Sequence, residues 1–216
     1  MPSIKTVTPL LGGHFYHIFN RGINREKIFY QTRNYPYFLK LIQEFLIDYI
    51  DIWAYCLIPN HFHLIIRVKD EITFKKKGMS SLQNDDIPEI KTLNDEAQIG
   101  KFVSNQFRSL FISYSMAINK QEKRKGNLFD RSFKRLEITS EEYLEYALFY
   151  VHYNPEKHMV IYNFREYIYS SFKAIVEKQK PTNLQRNNVL ELYGGYDEFF
   201  NYHDVMHDER EAIILE

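Results

Sequence analysis

The stretch IDIWAYCLIPNHFHLIIRV, residues 50–68, decides the fold. Two apolar runs, 50–58 and 61–68, are separated only by Pro59-Asn60, the pattern of a β-hairpin with a short turn. Pro59 has no N–H to give to a ladder, which explains why pairing breaks there. Strand side chains alternate faces, so His61 and His63 point one way while Phe62 and Leu64 point into a core. Two imidazoles side by side on a rigid strand form half of a metal site, and the rest of the chain must complete it.

Upstream, HFYHIFNR at 14–21 is aromatic-rich, ends at Gly22 and reads as a first strand. Residues 35–49 carry Phe38, Leu39, Leu41, Ile42, Phe45, Leu46 and Tyr49 at helical spacing. Downstream, residues 69–98 turn polar, with lysines at 75–77 and Gly78, Ser80 and Ser81, and read as a flexible insertion. Helical period returns over 99–118, and 127–139 reads as a further strand. Ser140 then caps another helix, with Glu142 and Glu145 near its start.

Strand, helix, hairpin, helix, strand is the order of a ferredoxin-like (RRM-like) α+β sandwich, an antiparallel sheet with helices packed on one face. The His-Phe-His strand is then central, and the sheet's other face is expected to be free for a ligand. The domain spans residues 1–175, and residues 176–216 form an acidic C-terminal extension, a helical tail.

A chain of 216 residues with 44% hydrophobic content can bury a real core, so disorder is excluded. No run of about 18 apolar residues is present, and residues 1–11 lack a signal-peptide pattern. Cys56 is the only cysteine, which excludes an intramolecular disulfide and a multi-cysteine zinc site. A cytoplasmic, nucleoid-associated protein without membrane contact is expected. The net charge of zero hides a polarity. Residues 120–135 hold seven basic side chains against two acids, whereas 186–216 hold eight acids against two arginines. The basic stretch suits a polyanion or an ordinary solvated loop equally well.

The segment SEEYLEYALFYVHYNPEKH, 140–158, carries the second half of the candidate site. At 100° per residue Leu144, Ala147, Leu148 and Val151 share a face that should bury against the sheet. Tyr146, Tyr150, Tyr153, Asn154 and Lys157 share another, with Tyr150 and Asn154 four apart. Pro155 disfavours helical geometry at Asn154 and is expected to end the helix near there. A tyrosine stripe is often no more than an amphipathic contact, and exposed strand histidines are often incidental.

Read together, His-hydrophobic-His on a strand and Tyr-x-x-x-Asn on a later helix resemble the single-tyrosine HUH transposases. The branch they resemble is the REP-associated tyrosine transposases and transposase-like proteins. The resemblance also runs through Phe19-Asn20-Arg21-Gly22, Tyr55 to Ile65, Gly126 to Lys134, and Tyr150-Val151-His152-Tyr153-Asn154-Pro155, covering roughly residues 14–175. It implies a divalent metal, Mg²⁺ or Mn²⁺, on His61, His63 and Asn154, with Tyr150 as the nucleophile that takes a 5′-phosphate. It implies single-stranded or hairpin DNA as the partner, and a monomer or a homodimer. Lys123, Arg124, Lys125, Arg131, Lys134 and Arg135 are the candidate DNA-binding side chains. Phe129 and Phe133 are candidates for base stacking or for the core. Lys157 is the candidate activator of Tyr150, since His152 lies about 160° away around an ideal helix.

His203-Asp204-Val205-Met206-His207 has the i, i+4 spacing of a helix zinc site but lacks the glutamate of a metalloprotease, and is expected at the surface. The rival reading is a non-catalytic single-stranded nucleic-acid-binding module of RRM-like topology. Such a binder has no use for Tyr150 beside a His-x-His pair.

Overall fold

The computed structural model describes residues 8–75, 90–130, 132–177 and 179–214. In chain order the first elements are β1 (Phe15–Arg21), α1 (Asn34–Leu46), β2 (Ile50–Ile58), β3 (His61–Val68), β4 (Ile72–Lys75) and β5 (Ile90–Leu93). Then follow α2 (Glu96–Gln121), β6 (Lys134–Ile138), α3 (Glu141–Lys157), α4 (Phe172–Val176), α5 (Arg186–Leu192) and α6 (Tyr196–Ile214). The main sheet runs β2-β3-β1-β6, antiparallel throughout, which is the ferredoxin-like arrangement. The described ends of the 69–98 insertion are not loop: β4 pairs with β5, and Ile72 is buried in the main core.

A single extra residue sets which side chains of β2 meet which layer. Ile52 pairs with Ile66 but Ala54 pairs with Ile65, so Trp53 is the bulged residue. Before the bulge Ile50 and Ile52 join Phe62, Leu64 and Ile66 beneath α1 and α2. After it the phase flips, and Ala54, Cys56 and Ile58 turn to the opposite face beside Ile65.

That opposite face is not left free, contrary to the reading from sequence. Leu144, Ala147, Leu148 and Val151 of α3 bury against Trp53, Ala54, Cys56, Ile58 and Ile65. Burying each larger side chain is worth about 1.5–3 kcal/mol, so an amphipathic helix would not leave such a surface open. α3 starts as expected, Ser140 Oγ accepting from the Tyr143 N–H at 3.2 Å.

It does not end at Asn154. Pro155 lies inside the helix, which continues to Lys157. The end is a Schellman closure: Met159, at φ 53°, donates to Glu156 O, and the Val160 N–H donates to Pro155 O. Proline lacks the N–H that would reach Val151 O, but its own carbonyl still accepts, so the closure forms on it.

The C-terminal helices share the α3 core: Val189, Tyr193 and Phe199 pack with Phe149, Phe164 and Phe172. His203, expected at the surface, is fully buried. Its hydrogen-bond chain admits one proton arrangement. His203 Nδ1–H donates to Phe199 O at 2.8 Å, which leaves Nε2 to accept from His152 Nδ1–H at 3.0 Å. His152 Nε2 then accepts from Ser171 Oγ–H, and Ser171 Oγ accepts from the Tyr55 N–H. His207 is 2.5 Å from the Glu156 carboxylate.

Both imidazoles of this chain must stay neutral. Burial pushes the His203 pKa down to about 3, helped by Arg165, and burial followed by His203 pushes His152 well down. The unfolded chain therefore takes up protons below about pH 6.5 that the folded chain refuses, and stability drops as the pH is lowered through that window. Each histidine contributes a slope of up to about 1.4 kcal/mol per pH unit. Thermal melts by circular dichroism should show Tm falling steadily from pH 6.5 to 4.5. A Tm that stays flat over that range would contradict neutral burial.

Candidate active site

The site faces α3 at the sheet end where β1 stops and β2 turns into β3. Backbone bonds gather three loops there. The Gly22 N–H donates to Asn60 O at 2.8 Å, those of Ile28 and Phe29 donate to Pro59 O, and those of Ile23 and Asp130 donate to Leu128 O and Arg21 O. Gly22 is required by contact, since a Cβ on it would lie 2.0 Å from Glu26 O.

β3 presents His61 and His63 toward α3, as its alternation dictates, while Phe62 and Leu64 enter the core beneath α1 and α2. His61 Nε2 lies 3.0 Å from Asn154 Oδ1, and His61 Nδ1 lies 2.8 Å from Asn60 Oδ1. A neutral imidazole carries one N–H, so it can donate to only one of those oxygens. Asn154 is fully buried, and among the described residues its Nδ2 has no partner. Turning the amide over would exchange which atom is orphaned without removing the orphan.

Tyr150 is half-buried on the same face of α3. Its ring centre stands 5.8 Å from His63 and 6.0 Å from His17, and Lys157 Nζ lies 4.6 Å from it. Tyr146 is 6.4 Å away, one turn earlier. Tyr153 does not share this face: it is buried, stacked on Phe149.

His17 is a member of the site that sequence reasoning missed. On β1 it sits diagonally from His63, and its Nε2 is 2.7 Å from His63 Nδ1, both groups being buried. A lone histidine in an aromatic strand gave no signal of this. His158, at the close of α3, brings its ring within 4.6 Å of His61.

These imidazoles are held as neutral bases. Burial lowers His17 to about 4. Burial, then His158 and Arg21, lower His61 to about 4 against the Asn154 hydrogen bond. His63 is pushed well down by burial and then by His17 and His61. Lone pairs are therefore available at neutral pH, the condition a metal ligand must meet.

The donor set bears on whether a divalent cation fits. Among the described residues no group of three His, Cys, Asp or Glu side chains is placed to hold a metal. The amide of Asn154 is needed as well. Two ligands about 2.1 Å from an octahedral ion stand about 3.0 Å apart. The His61 Nε2 to Asn154 Oδ1 separation has that value.

The basic candidates divide. Lys123 and Lys125 are exposed on the 122–130 loop at this end, joined by exposed Arg21, Arg25 and Lys27. Arg124 is held by Glu26 at 2.6 Å. Lys134 is exposed on the site face, but Arg135 turns to the other face and donates to Ser104 Oγ at 2.7 Å. Arg131 lies outside the described residues. Phe129 and Phe133 are buried in the core beneath α2, so they offer no stacking surface.

No protein-family model matches the chain, and no curated protein does. Among solved structures the fold matches that of a REP-associated tyrosine transposase bound to a REP hairpin. The match has 17% sequence identity and a TM-score of 0.56, over 84% of this chain and 89% of that one. At that identity the likeness shows the fold alone. No helix among the described residues is long and apolar enough to cross a membrane.

Proposed function

We propose that the protein is a metal-dependent, transposase-like endonuclease and strand transferase acting on single-stranded, hairpin-bearing DNA, with Tyr150 as nucleophile. The observation that carries this reading is the convergence of Tyr150, His61, His63 and Asn154 on one side of the sheet, with His61 and Asn154 93 residues apart in sequence. The fold shared with a hairpin-bound tyrosine transposase supports it, as does the exposed basic rim.

His61 and His63, with Asn154, would hold Mg²⁺ or Mn²⁺, which when bound neutralises a non-bridging phosphate oxygen and orients the phosphate. Tyr150 Oη attacks phosphorus, the bond to the 3′-oxygen breaks, and that oxygen leaves as a 3′-hydroxyl once protonated. The product is a 5′-phosphotyrosine, and attack on it by a 3′-hydroxyl runs the step backwards, rejoining a strand without ATP. Lys157, whose ammonium stands 4.6 Å from the Tyr150 ring centre, is the proposed activator, and the hydroxyl proton departs to solvent. Bases and phosphates of the strand would approach over Lys123, Lys125 and Lys134.

His17 serves this arrangement as a positioning residue. Accepting from His63 Nδ1–H leaves His63 Nε2 as the ligating atom. His17→Phe, which keeps a ring and removes the acceptor, should weaken Mn²⁺ binding by about 10–100-fold in calorimetric titration. His17→Gln should retain more of it. Unchanged Mn²⁺ affinity in His17→Phe would remove His17 from this role.

The test of the whole reading is a covalent one. Protein is incubated with labelled hairpin DNA from its own genomic neighbourhood and Mn²⁺ or Mg²⁺, then run on a denaturing gel. A metal-dependent labelled adduct is expected. Binding without an adduct, across several hairpins and both metals, would overturn the enzymatic reading in favour of a binding module.

A further inference from the structure

α3 packs mainly over β2 and β3, and on the same sheet face, at the site end of β1 and β6, a strip remains accessible to solvent. Three side chains stand there. Phe19 is opposite Lys134, and Leu136, 47% exposed, is opposite His17. Phe19 is partly exposed and Lys134 is exposed. The Phe19 ring is stacked with His63, centroids 5.7 Å apart at 24°. The His17 ring also lies against it, centroids 4.9 Å apart, and Lys134 on β6, across β1 from His63 on β3, holds its ammonium 5.8 Å from the Phe19 ring centre.

We propose that this strip is a nucleotide subsite for the unpaired part of a DNA strand: a base stacks on the outer face of Phe19, and Lys134 swings onto its phosphate. The inference rests on the reading of the protein as acting on single-stranded DNA. It states where the strand lies next to the nucleophile.

Three observations favour this occupant. An aromatic face next to a flexible cation is the pairing that holds a nucleotide without reading its sequence. Among the described residues Lys134 makes no ion pair, and the neighbouring β6 carboxylate, Glu137, turns to the other face and bonds His14 at 2.6 Å. Finally, Phe19 reaches Tyr150 through one intervening ring, His63, so a base on Phe19 lies beside the phosphate that Tyr150 would attack.

The experiment compares a hairpin carrying a single-stranded tail, labelled in the tail with 2-aminopurine, with the same hairpin lacking the tail. Binding is measured in EDTA, so no cleavage intervenes. Wild type should bind the tailed DNA more tightly and quench the 2-aminopurine. Phe19→Leu, which keeps apolar volume without a π-face, should lose about tenfold in tailed-DNA affinity together with the quench. Its affinity for the tail-less hairpin and for Mn²⁺ should stay within about twofold of wild type. Phe19→Trp should keep the quench, and Lys134→Gln should weaken tail binding while reducing its salt dependence.

Equal tail binding by Phe19→Leu and wild type would overturn the subsite. So would a loss confined to Mn²⁺ affinity, which would make Phe19 a mere buttress for His63. Wild type that binds both DNAs alike also overturns it and leaves the proposed function standing. Wild type that binds neither defeats both.

Discussion

Tyr150→Phe is expected to lower covalent adduct formation by about 10⁴-fold or more, with hairpin affinity within about twofold of wild type. The substitution removes one oxygen and keeps the ring, whose contacts with His17, His63 and Lys157 hold this part of α3 in place. No hydrogen bond among the described residues uses the Tyr150 hydroxyl, so its loss orphans no buried partner and the thermal midpoint should hardly move. The variant therefore separates chemistry from binding and folding. Tyr146→Phe is the control, because Tyr146 shares the face one turn earlier and stacks 6.4 Å from Tyr150. Its adduct yield should remain close to that of wild type. Wild-type cleavage by Tyr150→Phe would sink the assignment, and loss in Tyr146→Phe alone would move the nucleophile one turn back.

The hairpin 50–58/61–68 was legible to the residue because two signals agreed, apolar runs of strand length and a Pro-Asn break between them. α1 and α2 followed from apolar spacing, although each begins slightly earlier than the spacing alone suggests. What periodicity could not reveal was the Trp53 bulge, since one extra residue in an all-apolar strand leaves no mark on the pattern. Without it alternation predicts one buried sheet face, whereas α3 covers the second and only the strip of Phe19, Lys134 and Leu136 stays accessible. The same blindness applied to His17 and His203, whose partners lie 46 and 51 residues away, respectively, and come together only through the sheet and the α3–α6 packing. Lys134 and Arg135 show a further limit. Adjacent strand residues with the same charge point to opposite faces, and only Lys134 reaches the site.

His61→Ala is expected to weaken Mn²⁺ binding by about 100-fold or more and to abolish detectable metal-dependent cleavage, because it deletes a ligand rather than its support. A structural cost accompanies it. Asn154 is wholly buried, its Nδ2 already lacks a partner, and its Oδ1 is met by His61 Nε2 at 3.0 Å. Removing the imidazole strands the remaining atom, at a cost of about 1–3 kcal/mol. A lower thermal midpoint alone would thus say nothing about catalysis. Two readouts separate the effects. Asn154→Leu, which fills the space without polar atoms, should recover stability in the His61→Ala background but not Mn²⁺ affinity. Electron paramagnetic resonance of Mn²⁺ should show the bound signal in Tyr150→Phe and not in His61→Ala. Metal-dependent cleavage by His61→Ala within about tenfold of wild type would show that the ligands lie elsewhere. The closeness of His61 Nε2 to the Asn154 amide would then be a packing contact, and the buried orphan on Asn154 would be a stability cost borne for no catalytic return.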